Sequence, residues 1–454
     1  MKHVGDLKRV LTLSVFFAGL LPLALLASAA NPAPLRQRLK ETHFKIAHEA
    51  YLNDNWEILV MDADGANPVN LTLTPTIHEH YPQVSPDGKN ICFVADEGEG
   101  RDAVRSLWVM DTDGRHRRKL TDHAREPFWS PDGKKIGYLP QEYRKFSVDD
   151  FYTDGMNFYE LATGKISPHP NSAALHHLYN PSFAPNGKWI AATVHGGMGL
   201  GHAILLIEAN GKRIINLNIP GCRPCLSPDG KSIAWGADDK ELAVAPIDLD
   251  AQTPSVGQWR MTIKDQKNHI YHIDWSPDCR FLSFSRGPQG RGDPSKPGTF
   301  GADYAAIMGV YAPGWNIGVV TADHRGSLDL DMASQTQFLM LTTNGLSNKE
   351  PAWFRPSPQE QKSEWGARPR ALFHMVRHKP AGSLRRRARG GAPQGAGAAG
   401  ALLWPGYGGN DLDCGCAAES RLGEKPIKPR AYEKTDVIAW LDRFGGSTAE
   451  LPHR

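Results

Sequence analysis

The residues best placed to do chemistry in this sequence are histidines that recur at like positions. His78 and His80, His123, His176 and His177, and His269 and His272 each stand a few residues ahead of the motif Ser-Pro-Asp-Gly or a near copy of it. Neutral imidazoles brought together from such positions could bind a divalent transition metal, and His78-x-His80 is the pair best spaced for it. Protonated imidazoles could instead hold an acidic sugar or a carboxylate. Glu79, Arg125 and Glu126 would add charge to the same place. The plainer reading makes these side chains a polar lining, hydrogen-bonded to backbone or water. Other catalytic templates are missing. There is no Gly-x-Ser-x-Gly elbow, and no phosphate-binding glycine loop sits between a strand and a helix. "HGGMG" at 195–199 reads as a glycine-rich hairpin, and the tripeptide "RGD" at 291–293 carries almost no information.

What must position these groups is a repeat. "SPDG" begins at Ser85, Ser130 and Ser227, "SPDC" at Ser276 and "APNG" at Ala184, so successive copies start 43 to 54 residues apart. That period fits four-stranded propeller blades rather than helical solenoids. Proline presets φ for a turn, Asp or Asn bonds its own backbone, and glycine accepts a positive φ. An apolar, β-rich run follows each turn: "NICFVAD", "KIGYLP", "WIAATVH", "SIAWGAD" and "FLSFSR". One blade reads as an inner strand at 81–84, a second at 91–96, a third at 106–111 and an outer edge at 117–121. Asp113-Gly114 is a hairpin turn between the last two. Asp62, Asp64 and Gly65 belong to a turn of the same kind, because a calcium loop needs more carboxylates and a later Glu.

The two ends of the repeat region complement each other. Residues 44–72 supply second, third and outer strands with no inner strand before them. "KEPAWFRP" at 349–356 reads as an inner strand with no blade after it. Pairing the two, with Trp353 beside Ile46, completes one blade and removes an exposed sheet edge. With blades beginning near 81, 127, 181, 223 and 272, the expected architecture is an all-β, six-bladed propeller over 44–356. Strand alternation places the "SPDG" and "DADG" turns on one face. The longer loops at 97–105, 141–155, 195–202 and 286–314 fall on the other, where a ligand site is expected.

With "PQVSPDGKNICFVAD…SLWVMDTDGRHRRKLT" and its later copies in view, residues 44–356 resemble the TolB-like (WD40-like) propeller repeat family. Similar repeats occur in oligogalacturonate lyases, which combine a propeller with a histidine-bound metal. "HEHYPQVSPDG" at 78–88 resembles their His-x-His ahead of an inner strand, so that likeness implies His78 and His80 as metal ligands. Two functions follow as expectations. One is a non-enzymatic binding module for a protein or carbohydrate of the cell envelope. The rival is a metal-dependent polysaccharide lyase.

The remainder bounds location and partners. Lys2, Lys8 and Arg9 precede the apolar run 10–27, and small residues follow at Ala27 and Ala29. This is the layout of a cleaved signal peptide over residues 1–30, which implies a periplasmic or secreted protein with no membrane span in its mature form. A net charge of +3 argues against a nucleic-acid binder, and a monomer is expected. Residues 357–454 form a basic Ala/Gly/Arg-rich tail of mostly irregular structure, with one short amphipathic helix expected at 436–444. Of the six cysteines, Cys222 and Cys225 read as a local disulfide or two buried thiols, and Cys414 and Cys416 are too close to interpret.

Overall fold

A computed structural model of the protein describes residues 33–53, 55–98, 104–140, 153–288 and 314–357. The expected leader, tail, terminal helix, Cys414, Cys416, the "RGD" tripeptide and parts of three long loops lie outside the described residues. Among the described residues no helix is long and apolar enough to cross a membrane.

The repeat motif builds the same turn each time. Ser85 Oγ donates to Asp87 Oδ1 at 2.7 Å and accepts the Asn90 N–H at 3.0 Å, while Gly88 N–H donates to the Ser85 carbonyl at 2.8 Å. Ser130 with Asp132, Ser227 with Asp229 and Ser276 with Asp278 repeat the contact at 2.7, 2.6 and 2.7 Å. In the "APNG" copy Ala184 lacks the hydroxyl, and Asn186 Oδ1 alone accepts the Lys188 N–H at 3.0 Å. Gly88 has φ +71°, and a Cβ there would lie 2.1 Å from the Arg355 carbonyl, so this turn must be glycine for the ring to close over it.

Six antiparallel sheets result, each leading outward from an inner strand. Blade 1 takes its inner strand, Ser347–Phe354, from the far end of the described chain. Strands Lys45–Leu52, Asn55–Asp62 and Val69–Asn70 complete it, and Trp353 pairs with Ile46 as expected. The inner strands of blades 2 to 6 are His78–Val84, Ala124–Trp129, Leu178–Phe183, Cys222–Leu226 and Asn268–Trp275. Each inner strand touches those on either side of it, all round the ring. Six hydrophobic clusters fill the six gaps between blades. Ile58, Val60, Ile91 and Phe93 lie between blades 1 and 2, and Ile46, Met61, Phe281 and Val319 between blades 1 and 6. The short helix Leu35–Lys40 buries Leu35 and Leu39 in that last gap.

Two features depart from the simplest repeat. Gly326–Asp329, in the link that follows the third strand of blade 6, pairs in parallel with the outer strand of blade 5, Met261–Lys264. Blade 5 therefore has five strands, and one open edge is covered. The second departure is that the inner strands start earlier than their hydrophobic pattern suggests. His78, His80, His269 and His272 lie within strands, because each inner strand carries a register shift at mid-length.

Candidate functional site at the loop-rich mouth of the channel

The register shift is a β-bulge, which inserts a residue and re-aims its side chain. One non-glycine residue of each inner strand sits there in the left-handed region: Tyr81, Glu126, Asn180, Arg223, His272 and Glu350, with φ between 47° and 54°. Such a conformation costs about 1–2 kcal/mol per residue and persists only where the surroundings enforce it. Proline follows five of the six, as Pro82, Pro127, Pro181, Pro224 and Pro351. It has no N–H to lose where the ladder is broken. The neighbouring blade then fixes the bulge. Tyr81 N–H donates to Glu49 Oε2 at 3.2 Å, Arg223 N–H to Thr193 Oγ1 at 2.8 Å, and Glu350 N–H to Ser285 Oγ at 3.1 Å. The six blades thus hold Tyr81, Glu126, Asn180, Arg223, His272 and Glu350 at equivalent positions of their inner strands.

On the side of blades 1 to 3, Glu49, Lys349, His80, Asp96, Arg105 and Arg125 form a buried charge cluster. Glu49 lies 3.3 Å from Lys349 Nζ and 3.4 Å from His80 Nδ1, and Lys349 sits 4.4 Å from the centre of the Trp56 ring. Burial alone would raise the Glu49 pKa, but the Lys349 charge and the His80 contact hold it at about 2. Asp96 accepts two hydrogen bonds from Arg105, at 2.7 and 2.8 Å. Burial opposes ionisation of Asp96, but Arg105 outweighs it and leaves the pKa lowered. Arg125 is fully buried and acts on Asp96 through its charge.

On the side of blades 4 to 6 the arrangement differs. The Arg223 guanidinium lies between two tyrosine rings, 5.5 Å from that of Tyr179 in blade 4 and 4.9 Å from that of Tyr271 in blade 6. Each hydroxyl is held by an imidazole: Tyr179 by His202 Nε2 at 2.9 Å, and Tyr271 by His269 Nδ1 at 3.0 Å. Tyr271 also donates to Asp239 at 2.7 Å. Burial, then the nearby His195 and Arg223, lower the His202 pKa to about 4, so that ring is neutral. His202, His269 and Asp239 all lie near the hairpins of the loop-rich face. His272 closes the circle between blades 6 and 1, with its Nε2 2.9 Å from Glu350 Oε1.

The histidines, Glu79, Arg125 and Glu126 read from the sequence therefore divide. His80, Arg125, Glu126, His269 and His272 lie at the inner strands. His78 stacks on His80 with ring centres 6.3 Å apart, and its Nδ1 accepts the Trp56 N–H at 3.2 Å. Glu79 turns away from the channel into the gap between blades 1 and 2, where it meets Arg117 at 2.6 Å; burial raises its pKa to about 7. His123 is exposed, and His176 pairs with Asp154 at 3.0 Å on the rim beside the half-buried His177. Among the described residues, no three of His, Cys, Asp or Glu gather as a metal-ligand set, and the Nδ1 of His78 is already engaged. Cys222 and Cys225 are both thiols, with no disulfide between them.

Glu49, Lys349, Glu350, Arg223, Tyr179 and Tyr271 were not singled out by the histidine pattern. The pre-proline position of the inner strands marks Arg223 and Glu350, in "CRP" and "KEP", and Lys349 and Tyr179 stand one residue earlier, in "KEP" and "YNP".

No family model matches the chain, and no curated protein matches it. Among solved structures it is similar to TolB from Acinetobacter baumannii, at 16% identity over 68% of this chain and 66% of that one, with a TM-score of 0.45. It is also similar to an oligogalacturonate lyase in complex with manganese, at 13% identity over 63% and 74% of the two chains, with a TM-score of 0.39. A third likeness is to the hydrazine synthase of Kuenenia stuttgartiensis, at 12% identity over 70% and 48%, with a TM-score of 0.44. The fold is read from the chain's own strand order: this is a six-bladed β-propeller whose repeats resemble those of the TolB-like family.

Proposed function

We propose that the protein is an exported, monomeric binding module that takes an acidic group of a protein or carbohydrate partner at the loop-rich mouth of its channel. The observation that carries this reading is Arg223, fixed between Tyr179 and Tyr271, whose hydroxyls are in turn fixed by imidazoles. A guanidinium held in one orientation loses little freedom on meeting a carboxylate, and two phenol groups beside it suit a polar, oxygen-rich ligand. The leader-like residues 1–30 support export. The repeat resemblance supports a role in the cell envelope.

The test is calorimetric titration with two panels, oligogalacturonates and peptides bearing a free C-terminal carboxylate. The wild-type protein is expected to bind within one panel. Arg223→Ala should weaken that binding about 10- to 100-fold, the loss of one charge-assisted contact. Equal binding by the variant, or no binding in either panel, would contradict the assignment. Unsaturated sugar products on adding a divalent transition metal would replace it with the lyase reading.

A further inference from the structure

The face that carries the Ser-Pro-Asp-Gly turns lies opposite the loop-rich mouth, and it holds a basic patch over the seam of blades 6 and 1. The helix Leu35–Lys40 crosses that seam and carries Arg36, Arg38 and Lys40. Its buried residues are Leu35 and Leu39, so Arg36 and Lys40 are exposed and Arg38 is half-buried. Arg355, also exposed, follows the inner strand of blade 1 on the same face, beside the turn at Gly88.

Aromatic rings beneath the patch hold two of these cations in place. Arg38 Cζ lies 5.5 Å from the centre of the Phe281 ring, and Arg355 Cζ lies 5.0 Å from that of Phe44. Both rings pack on Trp353, at 6.4 and 6.5 Å. A guanidinium resting on a ring keeps its donor edge for an anion. Two nearby acids are already taken: Asp62 by Lys45 at 2.6 Å, and Asp278 by Arg280 at 2.5 Å. Glu41 accepts from Gln37 within the helix. Arg36 donates to the Asp64 carbonyl, which carries no charge. Among the described residues, none of Arg36, Arg38, Lys40 and Arg355 is ion-paired.

The patch offers charge without an apolar anchor. The exposed large apolar side chains among the described residues are Leu73, Ile166, Trp259 and Met332, and none belongs to the helix or adjoins Arg355 in sequence. A protein partner draws most of its affinity from such anchors, whereas the headgroups of a bilayer rearrange to meet each cation. We infer that this face docks on an anionic lipid surface through Arg36, Arg38, Lys40 and Arg355, and so turns the loop-rich mouth away from the membrane. The surface stands apart from Arg223, so either can fail without the other.

The test is co-sedimentation of the full chain with vesicles of phosphatidylcholine alone, or of phosphatidylcholine mixed with phosphatidylglycerol. Binding is expected to the mixed vesicles only, and high salt should release it. Arg36→Gln, Arg38→Gln and Arg355→Gln combined should weaken it about 100-fold, at about fivefold per cation. Arg223→Ala should leave it unchanged. The sequence after Arg355 carries four further arginines, Arg385, Arg386, Arg387 and Arg389, so a second variant changes these four to Gln. Binding that survives the triple variant but is lost in this second one would belong to the tail and would overturn the inference. So would equal binding to both vesicles, or no binding to either. Capture by polyglutamate without any binding to vesicles would make the patch a site for an acidic protein instead.

Discussion

Lys349→Ala is expected to destabilise the protein by about 3–5 kcal/mol, because it strands the Glu49 carboxylate in the interior without its main counter-charge. Both side chains are 1% exposed and lie 3.3 Å apart. They join the last inner strand to the first described strand, so the pair sits on the joint that closes the ring. Urea unfolding checks the magnitude, and its pH dependence checks the cause. Glu49 titrates at about 2 in the folded protein, against 4.5 for an ordinary glutamate. Its folded pKa is depressed, so its contribution is fully present above about pH 4.5 and is lost as pH falls towards 2. The gap between wild type and Lys349→Ala should therefore be widest at neutral pH and narrow on acidification. Combining Lys349→Met with Glu49→Gln should recover much of the loss, since no bare charge then remains.

Asp274→Asn should act in the opposite direction. Asp274 lies on the inner strand of blade 6, where its Oδ2 accepts the Trp353 N–H at 2.7 Å and its Oδ1 meets the Cys225 thiol at 3.6 Å. It therefore ties together the inner strands of three successive blades. Burial raises its pKa from 3.8 to about 7. The folded protein keeps this proton where the unfolded chain has released it, so stability falls as pH rises from about 4 to 7. The full penalty is of order 4 kcal/mol. Asparagine keeps an oxygen for the Trp353 N–H and has no charge to bury. Its melting temperature should match that of the wild type near pH 4 and exceed it increasingly up to pH 8. A variant less stable than the wild type at pH 8 would show that the carboxylate's hydrogen bonds outweigh its burial.

Much of the architecture was legible in the sequence because it rests on local chemistry repeated many times. The Ser-Pro-Asp-Gly turn and its near copies are built from residues within five positions of one another, so five copies announced five blades. The sixth followed from an unpaired inner strand at Trp353 and unpaired outer strands at Ile46. The parallel strand Gly326–Asp329 was not legible, because its partner, Met261–Lys264, belongs to another blade and no short-range pattern marks the pairing.

The site was legible only in part. Of the histidines marked by their spacing, His80, His269 and His272 lie on inner strands. The spacing could not separate His123, which is exposed, from His80, which is buried, because the bulge decides which side chain turns inward. Glu49 was invisible for a different reason. It reads as one polar residue in an apolar strand, and only ring closure brings Lys349 to it.

The most direct test of the account is hydrogen exchange on the full chain and on a chain ended after Leu346, which removes the inner strand of blade 1. The ring predicts that amides of Lys45–Leu52, protected in the full chain, lose protection in the shortened one, along with the Tyr81 amide that donates to Glu49. Unchanged protection of Lys45–Leu52 after the truncation would show that this strand does not close the ring, and would take the assembled channel mouth with it.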